Sequence, residues 1–317
     1  MTFQPLHLIE IAGLAFISTL FITPYLMERL INKKYVVRDY YKIGKPLKPT
    51  YGGIAMLVGV LASLILAQLF LESELMIRVL ILYFIVFSFA ILGFVDDLLD
   101  IGRPAKFFLP FFMALPIALL NIDPILDFGP ITFKLKFIYP FIISPIYVMV
   151  VANLINMHSG YNGLSGGLAT ILAIAISIKA YLIQGEQSLV FIAPLMGALL
   201  GFMVYNFYPT KIFQGNVGSM LIGSALGALI ITLNMEYFGF IIFIPHTINF
   251  ILFVYWKVFN KPWVKFGSID KSGILKVPNN LTLKWLAPYY YKMTEFQATI
   301  LCYGYTIVFC ILGFLYT

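Results

Sequence analysis

Three carboxylates close an apolar run in the segment Gly93 to Lys106, where Asp96, Asp97 and Asp100 are followed by Arg103 and Lys106. On a helix, Asp96 and Asp100 share a face, and Asp97 points about 100° away from Asp96. Carboxylates at the C-terminal end of a helix oppose its dipole and call for a compensating cation. A divalent metal held between Asp side chains and substrate phosphates is one common solution. Arg103 and Lys106 follow at the distance needed to touch a phosphate. The plainer alternative is a solvated acidic and basic helix end.

Four other segments carry unusual polar or glycine-bearing signatures. Lys45 to Gly53 reads KPLKPTYGG, a stiff turn whose glycines let backbone approach a ligand closely; Lys48 is its candidate substrate contact. Asn153 to Gly167 holds Asn153 and Asn156 one turn apart, then the turn dipeptide Asn162-Gly163 and Leu164. It has no Lys, Arg, Asp or Glu, so its amides and hydroxyls suit a sugar, a uracil edge or a metal bound through oxygen. His158 in the same segment is either a general base or a structural residue. Asn206 to Met220 contains Gly215-Asn216-Val217-Gly218-Ser219, which opens a helix whose N–H groups favour an anion such as phosphate. The stretch from about 257 to 291 has six lysines, with Lys292 just beyond it, and one acid, Asp270. Its Trp263, Trp285 and Tyr289 to Tyr291 look interfacial, and it reads as a basic juxtamembrane loop or as a lid over a negatively charged substrate.

The elements that position these residues are set by composition. Of 317 residues, 61% are hydrophobic and 11% charged, with mean hydropathy +0.93. Such a chain is neither a soluble domain nor a basic nucleic-acid binder; it is an all-α polytopic membrane protein. Ten apolar stretches stand out, at about 7–31, 52–71, 77–95, 107–121, 137–155, 164–183, 188–206, 219–236, 238–259 and 296–316. Seventeen of the 21 lysines and arginines fall in or beside the odd-numbered loops. The positive-inside rule then places those loops in the cytoplasm and both termini outside. All five polar segments lie on that face and converge on one composite site. Cys302 and Cys310, eight apart in one helix, are about 12 Å distant along its axis, too far for a disulfide.

In this arrangement the chain resembles the polyprenyl-phosphate N-acetylhexosamine-1-phosphate transferases, through VDDLLD, the NxxN…NGL pattern and YPxxxFxGNxGS. The resemblance spans essentially the whole chain, read as one transmembrane transferase domain over 1–317. The Asn-Gly-Leu version, in place of Asp-Gly-Leu, looks closer to the archaeal and eukaryotic dolichyl-phosphate enzymes. The resemblance implies transfer of N-acetylhexosamine-1-phosphate, with GlcNAc-1-phosphate favoured, from a UDP-sugar to a membrane polyprenyl or dolichyl phosphate. UMP is released, and the step begins lipid-linked glycan synthesis and N-glycosylation. It implies Mg²⁺, with Mn²⁺ as a substitute, and a multi-pass protein working at the cytoplasmic face. The membrane is the plasma membrane in a prokaryote and the endoplasmic reticulum in a eukaryote. Homodimers among relatives leave that state open here. By resemblance Asp96 and Asp97 are the catalytic acids and Lys106 lies near the phosphates. Asn156 contacts metal or diphosphate, and Asn162, with Gly163, Leu164 and Gly215, belongs to substrate binding.

Two positions depart from the family pattern. The family's Gly-Asp metal ligand is here Asn216, whose amide oxygen can coordinate Mg²⁺ but brings no charge. Weaker metal binding and lower turnover are expected. The basic motif that the family carries after the ninth stretch is reduced to Lys261, Lys265 and Lys271. A catalytically impaired homologue that only binds lipid or nucleotide-sugar is therefore one alternative. A secondary transporter is another, although such sites lie near the bilayer midplane, whereas here the polar residues gather at one face.

Overall fold

The computed structural model describes residues 4–99, 101–120, 122–127, 131–259, 264 and 266–317. Asp100, Lys261, Trp263 and Lys265 lie outside the described residues, as does the side chain of Arg103. Helices overlie all ten apolar stretches. Among them are α1 (Pro5–Asn32), α2 (Gly53–Ala67), α3 (Ser73–Leu99) and α4 (Arg103–Ala114), which a 3₁₀ turn extends over Leu115–Leu120. Next come α5 (Ser144–Met157), α6 (Leu164–Gln184), α7 (Ala193–Asn206) and α8 (Gly215–Thr232). The last are α9 (Glu236–Ile242), α10 (Ile244–Phe259), a short α11 (Leu283–Tyr290) and α12 (Glu295–Tyr316). Strands among the described residues form three antiparallel hairpins: β1 (Val36–Arg38) with β2 (Leu47–Pro49), β3 (Ile125–Asp127) with β4 (Thr132–Lys134), and β5 (Ser268–Ile269) with β6 (Leu275–Lys276).

Six of these helical runs are long and apolar enough to cross a bilayer, and α9 with α10 makes a seventh as a bent pair. Three further apolar helices are shorter: α2, Phe108–Leu120 and α7. The sequence reading treats 238–259 as one straight span. Instead the chain turns by 57° between α9 and α10. Pro245 stands in the first turn of α10, where its missing N–H and fixed φ suit a new helix start and not continuation of an old one.

The bundle is built around α8, whose residues Val217 to Thr232 are all buried. Its composition explains this position. Glycine, alanine and serine recur along it, and small residues let helix backbones come close in an apolar medium where dispersion and not water drives packing. α3 and α5 pack along its length, while α1 packs on α2 and α7. Two contacts at its first turn are closer than any side chain permits. A Cβ on Gly53 would fall 2.3 Å from the Cα of Gly218, and one on Gly93 would fall 2.4 Å from the backbone oxygen of Asn216. So α2 and α3 both rest on the first turn of α8 through bare backbone.

The stretch from 266 to 294 is packed against the bundle. Trp285, read from sequence as interfacial, is buried against Trp256, and its indole N–H donates to the Tyr41 hydroxyl at 3.3 Å. Tyr289, Tyr290 and Tyr291 are exposed, as expected of interfacial residues. Cys302 and Cys310 are free and buried.

Gly53→Ala forces α2 off α8, and the expected cost is about 1–3 kcal/mol, the usual range for overpacking. Thermal unfolding of the detergent-purified protein measures it. Gly13→Ala, which meets nothing within 4 Å, serves as the control and keeps or raises the native midpoint.

Candidate active site

The first turn of α8 organises the site. Gly215 takes φ +70°, a left-handed turn that glycine adopts without strain, and so starts the helix with its N–H groups facing the end of α3. The backbone N–H of Val217 donates to Asp97 Oδ2 at 3.2 Å. The Asn216 side-chain amide donates to Asp96 Oδ2 at 3.0 Å. Lys106, from α4, places its ammonium 2.7 Å from Asp96 Oδ1. The Tyr51 hydroxyl donates to the Asp97 carbonyl at 3.3 Å, tying the loop before α2 to the same point. Ser219, one turn into α8, donates to Asn156 Oδ1 at 2.7 Å and fixes that amide at the end of α5.

The two carboxylates face different spaces, as the 100° offset between successive helical residues requires. Asp97 lines a cavity of about 470 Å³ together with Asn156, Gly215, Asn216 and Ser219. All five polar segments contribute to its wall: Thr50 from Lys45 to Gly53, Asp97 from the second, and Ser159 to Tyr161 with Leu164 and Ser165 from the third, while Arg38 to Tyr41 come from the loop before the first. Asn206, Phe213 and Gln214 come from the fourth, and Phe266 from the fifth. Tyr40 and Phe266 stack at 4.2 Å on its rim. Asp96 and Lys106 line a separate cleft of about 40 Å³ with Asn153, Leu92, Ile101 and Met220. Asn156 borders both spaces.

The residues singled out from sequence fall into three groups. Asp96, Asp97, Lys106, Asn156, Gly215 and Asn216 come together at one point. Leu164 lines the larger cavity, with Gly163 in a positive-φ turn beside it, but Asn162 is 1% exposed and its amide is engaged within the protein. Lys48 pairs with Val37 across the β1–β2 hairpin and lines neither space; the basic residue of that hairpin on the cavity wall is Arg38. Lys271 is exposed and likewise absent from both walls. His158 packs edge-on against His246 with ring centres 4.7 Å apart. Burial, helped by the neighbouring His246 and Lys284, keeps its pKa well below the usual imidazole value, and it reaches neither space. As a general base at this site it is out of place. Sequence reading passes over Asp39 and Glu295, which are lone acids in a basic loop and at a helix start.

Among the described residues no three His, Cys, Asp or Glu side chains gather as a metal site. Oxygen donors beyond Asp96 and Asp97 are the amides of Asn156 and Asn216. Such a set suits a hard cation that keeps several waters, such as Mg²⁺, and not a nitrogen- or sulfur-bound metal. Lys106→Met removes the ammonium beside Asp96 and leaves two neighbouring carboxylates uncompensated. Millimolar Mg²⁺ is expected to raise the unfolding midpoint of Lys106→Met more than that of the native protein, because the ion takes over the ammonium's role. An equal shift in both proteins refutes this account of Lys106.

Comparison with known proteins follows the same lines. Residues 79–234 match the family described as Glycosyl transferase family 4. The chain is 30% identical over 313 residues to the Saccharolobus solfataricus protein named "Putative UDP-N-acetylglucosamine--dolichyl-phosphate N-acetylglucosaminephosphotransferase", covering 95% of this chain and 94% of that one. It is 29% identical over 310 residues to the Sulfolobus acidocaldarius protein of the same name, covering 94% and 92%. It is 28% identical over 267 residues to the phospho-N-acetylmuramoyl-pentapeptide-transferase of Staphylococcus carnosus, covering 76% and 82%.

Proposed function

Because the chain belongs to the polyprenyl-phosphate N-acetylhexosamine-1-phosphate transferases of glycosyl transferase family 4, we propose that it moves GlcNAc-1-phosphate from UDP-GlcNAc to a membrane dolichyl or polyprenyl phosphate. The observation that carries this reading is the division of one helix end between two spaces, with Asp97 in the larger cavity and Asp96 with Lys106 in the small cleft. A nucleotide-sugar fits the first. The phosphate of the lipid is assigned to the second, beside the Lys106 ammonium.

An oxygen of the lipid phosphate attacks the β-phosphorus of the UDP-sugar. A new P–O bond forms, the bond to the oxygen bridging the α-phosphate breaks, and UMP leaves with that electron pair. Positioning and charge neutralisation dominate such a step. Lys106 offsets charge near the entering phosphate. Amide N–H groups at the start of α8 face the diphosphate, where a helix N-terminus favours anions. Asp97, Asp96, Asn156 and Asn216 are the oxygen donors that would hold Mg²⁺, which would supply charge neutralisation of the diphosphate. Asn216 would contribute one negative charge fewer than an aspartate. Its amide also holds Asp96 by a hydrogen bond that an ionised aspartate has no proton to make.

UMP release tests the reading. Purified protein with Mg²⁺, UDP-GlcNAc and dolichyl phosphate is expected to turn over, and Asp97→Asn to lose about 10²-fold or more in kcat, the scale for removing a charge the transition state needs. Asn216→Asp is expected to lower the Mg²⁺ concentration at half-maximal rate. Turnover by Asn216→Asp alone marks the native chain as an impaired homologue, and silence from both refutes the assignment.

The charge bias of the loops supports an active site facing the cytoplasm, with both termini outside, in the plasma membrane of a prokaryote or the endoplasmic reticulum of a eukaryote. In intact cells a membrane-impermeant maleimide is expected to label Glu186→Cys and to reach Lys271→Cys only after the membrane is opened. Both positions are exposed. The opposite pattern reverses the topology.

A further inference from the structure

One lysine lies inside a membrane-spanning helix, at the end of the bundle away from the reacting carboxylates. Lys179 is on α6, five residues before that helix ends at Gln184, or about 7.5 Å along its axis. Leu164 and Gly215, the first residues of α6 and α8, line the larger cavity, so both helices end on the opposite face. There Lys179, Ile183, Asn234, Glu236, Phe238 and Tyr316 border a second cavity of about 210 Å³. Lys179 is 9% exposed. Among the described residues its ammonium makes no ion pair and no hydrogen bond, and it lies 5.7 Å from the centre of the Phe238 ring. Glu236, the carboxylate on the same wall, is buried and accepts a hydrogen bond from the Tyr139 hydroxyl.

An ammonium in apolar surroundings is costly, and ionisable residues in spanning helices are rare and mark binding sites or pathways. Packing does not account for this one. An apolar side chain of the same length would meet Phe238 without the cost. The rim indicates what the ammonium meets. Tyr181, Leu182 and Ile183 on α6 and Leu315 and Tyr316 on α12 are exposed, as on a surface bathed by acyl chains. Asn234, exposed in the turn after α8, adds an amide donor. A cation and an amide inside an apolar and aromatic rim suit an amphiphile with an anionic head, and basic pockets between spanning helices hold lipid head groups.

We propose that this cavity binds the phosphate of a membrane lipid in the leaflet opposite the active site. The phosphate rests on Lys179 and Asn234, and the apolar body of the lipid lies along Ile183 and Tyr316. The site is distinct from the cleft beside Lys106, at the other end of the bundle. Because the turn after α8 forms part of its wall, the bound lipid braces the far end of the helix whose first turn organises the active site.

Thermal unfolding and native mass spectrometry of the detergent-purified protein test this without turnover. Phosphatidylglycerol added to the micelles is expected to raise the native unfolding midpoint by about 2 °C or more, and to leave one more bound lipid per chain than on Lys179→Met. Lys179→Met removes a charge from apolar surroundings, so its lipid-free midpoint is expected to equal or exceed the native one. Lys179→Arg keeps the charge and is expected to keep the lipid. Two further arms use the native protein alone. Diacylglycerol has the tails without the phosphate, glycerol 3-phosphate has the phosphate without the tails, and neither is expected to move the midpoint. A phosphatidylglycerol shift as large in Lys179→Met as in the native protein overturns the proposal. So does an equal shift with diacylglycerol, which makes the tails alone the ligand. An equal shift with glycerol 3-phosphate overturns the lipid assignment in favour of a soluble phosphate ester.

Discussion

The site depends on the approach of two backbones to the first turn of α8. Gly53 and Gly93 meet that turn at distances no Cβ tolerates. The contact at Gly93 lies one helical turn before Asp96 and Asp97, so it sets where both carboxylates stand relative to Asn216 and Val217. It also resolves an electrostatic problem that α3 creates. Negative charge at the C-terminal end of a helix is unfavourable, and here the N-terminal end of α8 is brought against it. The two helix ends compensate each other, and the carboxylates sit between them.

Neighbouring residues of like charge thereby acquire unlike surroundings. Asp96 is held by an ammonium on one oxygen and an amide on the other. Asp97 is held by a backbone N–H and faces open space. One group is constrained on both sides and the other is available on one. The asymmetry comes from helical geometry alone, since consecutive residues cannot share a face.

Much of this is legible in the sequence because it is local. The apolar stretches follow from the length a bilayer demands, and the Gly-Asn-Val-Gly-Ser turn, the Asn-Gly turn and the aspartate pair carry their own signals over a few residues. That these segments share one site follows from the charge bias of the loops. The bend between α9 and α10 is harder to read, because Pro245 is compatible with either a helix start or a kink. Lys48 is one of several basic residues in that loop, and nothing local distinguishes it from Arg38, which is the one on the wall. Asp39 and Glu295 are illegible in principle. Each accepts a hydrogen bond from Asn162, more than a hundred residues away, and a lone acid in a basic loop looks like any solvated charge. Trp285 misleads for a related reason, since an aromatic near a membrane edge can face lipid or a second aromatic, and only Trp256 decides between them.

The burial of α8 has a consequence for the lipid environment. A helix that faces lipid adjusts to bilayer thickness by tilting or by drawing its ends toward the interface. From Val217 to Thr232, α8 is surrounded by protein and has no lipid boundary through which thickness could act on it directly. Hydrophobic mismatch is absorbed by the peripheral helices, while the depth of the reacting groups is held by the bundle's interior. A thinner or thicker membrane therefore changes how the lipid substrate reaches the cleft before it changes the geometry waiting there.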